Sequence, residues 1–98
     1  MNKKQIKELI RRRRGQMLVH SCIYYELNQN IISDDLWQTW AEELHKLQSE
    51  YPDCKNIKYY DKEFADWDGT TGAMLPYKAF YNKAILLLDY EENNANSK

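Results

Sequence analysis

An apolar spacing that runs through more than a fifth of the chain constrains its fold most. At about 100° per residue, Ile6, Leu9, Ile10, Arg13, Met17, His20, Tyr24 and Leu27 fall on one side of a single helix. From Met17 onward, Leu18, Val19, Ile23 and Tyr25 add apolar surface nearly all round, which predicts burial on more than one face. Gly15 separates the two halves and costs a helix roughly 1 kcal/mol relative to alanine. A helix of this kind needs a partner, and the next segment supplies one. Ser33 suits an N-cap, and Asp34 and Asp35 suit the first turn that follows it. Trp37, Trp40, Ala41, Leu44, Leu47 and Tyr51 then recur at threes and fours until Pro52. Glu42 and Lys46 stand at an i,i+4 spacing on the outer side. The short link around residues 28–32 predicts an antiparallel helical hairpin over residues 16–52.

Residues 53–75 have a different character. Tyr59, Tyr60, Phe64 and Trp67 are mixed with acids, and Asp68-Gly69 followed by Gly72 signals turns. This predicts a long aromatic-rich loop with room for one helical turn. Pro76 suits the first turn of a closing helix over residues 76–90, whose apolar face is Ala79, Phe80, Ala84, Leu87 and Leu88. Residues 91–98 are polar and predict a disordered tail. With three glycines and two prolines, the chain lacks the turns of a many-stranded fold. The expected fold is therefore all-α, a single helical domain over residues 1–90: a helical hairpin, a long aromatic-rich loop and a closing C-terminal helix.

The net charge of −1 conceals an asymmetry. Residues 1–14 carry seven positive charges against Glu8 alone, and the remainder carries seven positive and fourteen negative charges. Residues 1–14 are thus expected to form a basic helical arm. Lys7, Arg11, Arg12, Arg13 and Arg14 are its candidate contacts for a partner or for phosphate. Four consecutive arginines form a ring about a helix rather than a stripe. A solvated helix with Arg13 turned to the chain's own acids, or docking on an acidic partner, stands beside phosphate binding.

Several classes are excluded. No apolar stretch approaches the ~18 residues of a membrane span. Charged residues interrupt everything after the opening lysines, which argues against a secretory leader. Cys22 and Cys54 form no C-x-x-C pair, and with His20 and His45 they make no zinc spacing, so reduced thiols and no metal are expected. Asp66 and Asp68 fail as a calcium loop, because the glycine comes too early and no glutamate closes it.

The segment from Tyr24-Tyr25 to Asp34, Trp37 and Gln38 carries the chemistry. Aromatic faces at one helix end, opposite a carboxylate at the start of the next, suit a flat, cationic or polar ring bearing hydroxyls. The bland alternative is core tyrosines and a helix-start aspartate. From about Ile6 to Asp53 the chain resembles the small N-terminal module of NAD-dependent DNA ligases, in which a Tyr-Tyr or Tyr-His helix end is followed by an acidic turn, Asp-x-x-Tyr-Asp, a leucine-rich helix and a Tyr-Pro stop. Tyr24, Tyr25, Asp34, Glu43-Leu44, Leu47 and Tyr51-Pro52 keep that register. The resemblance implies that Tyr24, Tyr25 and Asp34 bind nicotinamide mononucleotide, the ligand half of NAD, with no further cofactor required. Trp37 stands where that family has tyrosine, Gln38 where it has a second aspartate, and Asn30 where it has proline. A ring is kept while a hydroxyl and a charge are lost, so the implied binding is weak.

The segment from about Tyr60 to Leu88, with Phe64-Ala-Asp-Trp-Asp-Gly-Thr-Thr-Gly-Ala-Met-Leu-Pro, resembles small stand-alone ligase-related proteins of phages and their Gram-positive hosts. A nucleotidyltransferase needs a nucleophilic lysine in Lys-x-Asp-Gly. The one Asp-Gly here lies in Asp66-Trp67-Asp68-Gly69, with aspartate in the lysine's place. The expectation is a non-enzymatic accessory protein in the cytoplasm of a bacterial host. It binds NAD or nicotinamide mononucleotide, or assists a separate nucleotidyltransferase. The alternatives are a protein partner from the host, the phage or a defence system, and, more weakly, nucleic acid.

Overall fold

A computed structural model describes residues 1–96, with side chains through residue 94. The fold is all-α, and no strand occurs among the described residues. Helix α1 spans Lys3–Tyr25, α2 Asp34–Glu50, α3 Asp61–Phe64 and α4 Tyr81–Asn96, with 3-10 turns at Pro52–Cys54 and Tyr77–Phe80.

Helix α1 begins at a reciprocal cap. The Asn2 side chain accepts from the Gln5 backbone N–H at 2.9 Å, and the Gln5 side chain accepts from the Asn2 N–H at 2.9 Å. It ends because Asn28 takes a left-handed backbone, φ 51°, which asparagine tolerates better than most residues. Helix α2 starts at Ser33, whose Oγ accepts from Leu36 N–H at 3.0 Å, and Pro52 turns the chain out of it. The two helices run antiparallel, since early positions of α1 meet late positions of α2. Arg13 bonds Glu43, Arg14 bonds Gln48 and the His20 ring meets Trp40. Glu42 accepts from Gln38, and Lys46 pairs with Glu50 rather than with Glu42.

The core is built on α1. Ile6, Ile10, Met17, Leu18, Cys22 and Ile23 meet Ala41, Leu44 and Leu47 of α2, and Phe64, Leu75, Phe80 and Ala84 close the other side. Residues 1–14 are therefore not a separate arm. They are the first half of an unbroken helix, and Arg14, 1 % exposed, is among the most buried side chains of the molecule. Gly15 does not break the helix either. A Cβ there would stand 3.3 Å from the Tyr59 hydroxyl, so the missing side chain makes room for a close approach.

Arg14 organises the segment that follows α2. Its guanidinium donates to Gln48 Oε1 at 2.9 Å, to the Tyr59 and Lys55 carbonyls at 2.8 Å each, and to Asp61 Oδ1 at 2.6 Å. Asp61 in turn accepts from the backbone N–H groups of Ile57, Lys58 and Tyr59. This closes a turn in which Lys58 and Tyr60 hold left-handed backbones, φ 57° and 58°. Burial alone would raise the Asp61 carboxyl. The Arg14 bond and the three backbone N–H groups outweigh that and hold it below the ordinary 3.8.

Pro76 is not inside the closing helix. It is the centre of a tight turn, φ −78° and ψ 55°, in which Tyr77 N–H donates to the Leu75 carbonyl at 2.8 Å. The chain enters α4 through the 3-10 turn after it. The segment expected to be disordered from residue 91 is helical through Asn96, and residues 97 and 98 lie outside the described residues.

Candidate functional site

A cleft of about 270 Å³ opens where α1 ends and α2 begins. Helix α1 contributes His20, Ser21, Tyr24 and Tyr25, and α2 contributes Asp34, Trp37 and Gln38. Residues 30–33 form one rim, and Thr70 and Thr71 form a wall from the distant loop. All five residues that the sequence singled out for nucleotide binding, Tyr24, Tyr25, Asp34, Trp37 and Gln38, therefore face one space.

The aromatic groups are held by specific contacts. Tyr24 packs edge-on against Tyr25 at 4.9 Å, and Tyr25 stacks on Tyr77 at 5.4 Å. The Tyr25 hydroxyl shares a 3.1 Å hydrogen bond with Thr71 Oγ1. Trp67 donates its indole N–H to the Thr71 carbonyl at 2.7 Å and meets the Trp37 ring edge-on at 6.4 Å. Thr71 is thus the joint that ties the loop to both aromatic clusters. One face of Tyr25 is taken by Tyr77, while Tyr24 keeps half its surface exposed.

The polar groups divide into those in use and those free. The Asp34 carboxylate has no hydrogen-bond or ion-pair partner among the described residues, and it is exposed at the cleft. Gln38 is in use: its Nε2 donates to the Gly69 carbonyl at 3.5 Å and to Glu42 Oε1 at 3.3 Å. An aspartate at position 38 would oppose the Gly69 carbonyl, so the amide suits this fold's own loop. Ser21 Oγ is buried without any partner among the described residues. Gly72 lies directly against it: a Cβ on Gly72 would meet Ser21 Oγ, and would come within 2.9 Å of Ser21 Cβ and 3.3 Å of Trp37. His20 packs on Trp40 at 5.6 Å, and burial lowers its pKa below 6.5, so the ring is neutral at pH 7.

Compared with family models, curated proteins and solved structures, the chain shows no significant match to any.

The candidate arm residues do not converge. Arg14 is buried in the network described above. Arg13 is half-buried and paired with Glu43 at 3.2 Å, donates to Gln16 at 2.6 Å and lies over Trp40 at 5.5 Å. Arg11 lies over the Tyr59 ring at 4.0 Å, and Arg11, Lys7 and Arg12 are on the surface, with Glu8 among them. Cys22 and Cys54 are buried free thiols, and burial together with Glu26 raises the Cys22 pKa. No cluster of three or more metal-ligating side chains occurs among the described residues, and no described helix is long and apolar enough to cross a membrane.

Sequence reasoning missed Ser21, Thr70 and Thr71. Ser21 sits inside an apolar stretch, where a serine reads as incidental. The pair Thr70-Thr71 follows an Asp-Gly turn, and that run of hydroxyls was the available signal. Its partner across the cleft lies 46 positions away in sequence, which no local period shows.

Proposed function

We propose that this chain is a non-catalytic nucleotide-recognition module that binds the nicotinamide mononucleotide half of NAD, by itself or in support of a separate nucleotidyltransferase. One observation carries this reading: the five residues chosen by ligase resemblance line one cleft, and its carboxylate, Asp34, is unpaired. A cationic pyridinium ring is attracted to the faces of Tyr24 and Trp37. The free carboxylate accepts hydrogen bonds from ribose hydroxyls. A cleft of about 270 Å³ matches a ring and a sugar rather than a whole dinucleotide. The module resembles the substrate-binding part of a two-part active site. In that setting the lysine nucleophile belongs to another domain.

Titration of the protein with nicotinamide mononucleotide, followed by calorimetry or NMR, tests the reading. Binding is expected in the millimolar to high-micromolar range, with shifts at the Trp37 indole, and Asp34→Ala abolishes it. Absence of any shift at millimolar ligand refutes it.

A second reading is favoured by the Gln38 amide, which serves the Gly69 carbonyl instead of a ligand. On this reading a phage or mobile element keeps the hairpin as a scaffold for gripping a host or anti-phage defence protein. A stoichiometric protein partner that survives Asp34→Ala separates it from the first. Nucleic-acid binding rests only on Lys7, Arg11 and Arg12, and loss of binding on their neutralisation identifies it.

A further inference from the structure

The charges around the cleft are of one sign. Asp34 is the acid of its lining, and no lysine or arginine is among the lining residues. Asp35 follows in the same first turn of α2. That turn is where a phosphate would otherwise meet free backbone N–H groups. Here Ser33 Oγ takes the Leu36 N–H, and the two aspartates set a negative potential over the rest. His20, the lining's one ring able to carry positive charge, is kept neutral by burial. Of the cations on neighbouring elements, Arg13 pairs with Glu43 at 3.2 Å and the exposed Lys78 lies 3.8 Å from Glu26.

The uncharged groups suit a ring and a sugar. Tyr24 and Trp37 offer ring surface, while the two threonine hydroxyls of the wall are engaged within it: Thr70 Oγ1 donates to Asp68 Oδ1 at 2.7 Å, and Thr71 Oγ1 is shared with the Tyr25 hydroxyl and accepts from Ala73 N–H, at 3.1 Å each. Ser21 Oγ lies unpartnered beneath Gly72 in the same lining, a further polar atom whose neighbour is neutral rather than anionic. Nothing in this set rewards a dianion, and Asp34 opposes one.

We infer that the cleft recognises a cationic nucleoside, the pyridinium ring with its ribose, and makes no favourable contact with the phosphate. This rests on the nicotinamide reading above and narrows its ligand class from nucleotide to nucleoside. The magnitude follows from Coulomb's law: each unit of negative charge about 8 Å from a carboxylate in water is disfavoured by roughly two- to threefold in affinity, and a dianion by about sixfold. Added salt reduces that factor.

Parallel calorimetric titrations of the full chain with nicotinamide riboside and with nicotinamide mononucleotide decide the point. The expected result is a riboside that binds as tightly as the mononucleotide, or about two- to sixfold more tightly at low salt. Binding of the riboside alone supports the inference equally. A preference for the mononucleotide of about threefold or more means a favourable phosphate contact, and overturns the inference while leaving the nicotinamide reading standing. If neither ligand binds at millimolar concentration, the inference and the reading beneath it both fall.

Discussion

Arg14 places its whole guanidinium inside the protein, and four acceptors receive it. Two of these are backbone carbonyls of a segment with no regular structure, so the side chain substitutes for the missing secondary-structure bonds of residues 55–60. Removing it leaves those carbonyls without their donor, leaves the Asp61 carboxylate with its backbone N–H bonds but no charged partner, and leaves a cavity beside Phe64. Arg14→Ala is expected to destabilise the fold by about 3–5 kcal/mol, a large share of the ~5–15 kcal/mol that holds a small domain together. Arg14→Lys rescues little of this, because one ammonium cannot reproduce the fork of a guanidinium. Urea denaturation measures both variants. Asp61 adds a pH signature. Its pKa is lower folded than unfolded, so its stabilising contribution is complete above the ordinary 3.8 and disappears as pH falls through the lower folded value. Urea midpoints should therefore drop in that acid window for the native chain, and Asp61→Asn should flatten this part of the dependence. An unchanged acid limb in that variant assigns the loss to other carboxylates.

At the level of elements, the hairpin was legible because its signals are local. Ser33 and the two aspartates mark the start of α2, and the threes and fours through Leu47 mark its buried side. Helix α1 was legible as a helix but not in its role. The spacing Ile6, Ile10, then Arg14 continues the buried stripe at i,i+4, but its third member stands within a run of four arginines, and arginine is seldom fully buried. What buries it is the segment 55–64, which wraps the far side of α1 and carries no periodic pattern. The cleft divides the same way. Tyr24, Tyr25, Asp34, Trp37 and Gln38 lie within one helix-turn-helix stretch and could be read together, whereas the wall supplied by Thr70 and Thr71 depends on folding at a distance. Gly72 is the hinge of that wall. It fits only because it has no Cβ between Ser21 and Trp37. Gly72→Ala should push the loop off the α1 surface at a cost of about 1–3 kcal/mol, the range for overpacking a filled site. The effect should be visible as a lower Tm together with a change in tryptophan emission, since Trp37 and Trp67 both pack against that loop. An unaltered spectrum with unchanged Tm would mean that the loop yields without disturbing the cleft.

The described residues span 43 × 27 × 24 Å, and the long dimension exceeds the roughly 34 Å expected of a 23-residue helix such as α1. That helix is the common wall of the structure. Helix α2, the 3-10 turn at Tyr77–Phe80 and α4 all pack on it, while α4 and α2 are held together mainly through it. A chain of this size buries only about two thirds of its unfolded surface, so no second core exists to take over if the wall is shortened. The charge pattern alone suggests that residues 1–14 are dispensable, a basic appendage on an acidic body. The packing gives the opposite expectation, because Ile6, Ile10 and Arg14 are 3 %, 0 % and 1 % exposed. Deleting residues 1–14 removes two core isoleucines at about 1.5–3 kcal/mol each by area burial, besides the Arg14 network. Together with the Arg14 network the loss is about 6–11 kcal/mol, against the ~5–15 kcal/mol that holds such a domain together. The truncated chain should therefore lose most of its helical circular dichroism and its cooperative thermal transition, and should lose ligand binding as a consequence, although no cleft residue is touched. A truncated chain that still melts cooperatively near the native Tm would make the first fourteen residues an arm after all, and would return Lys7, Arg11 and Arg12 to consideration as a free contact surface for an acidic partner.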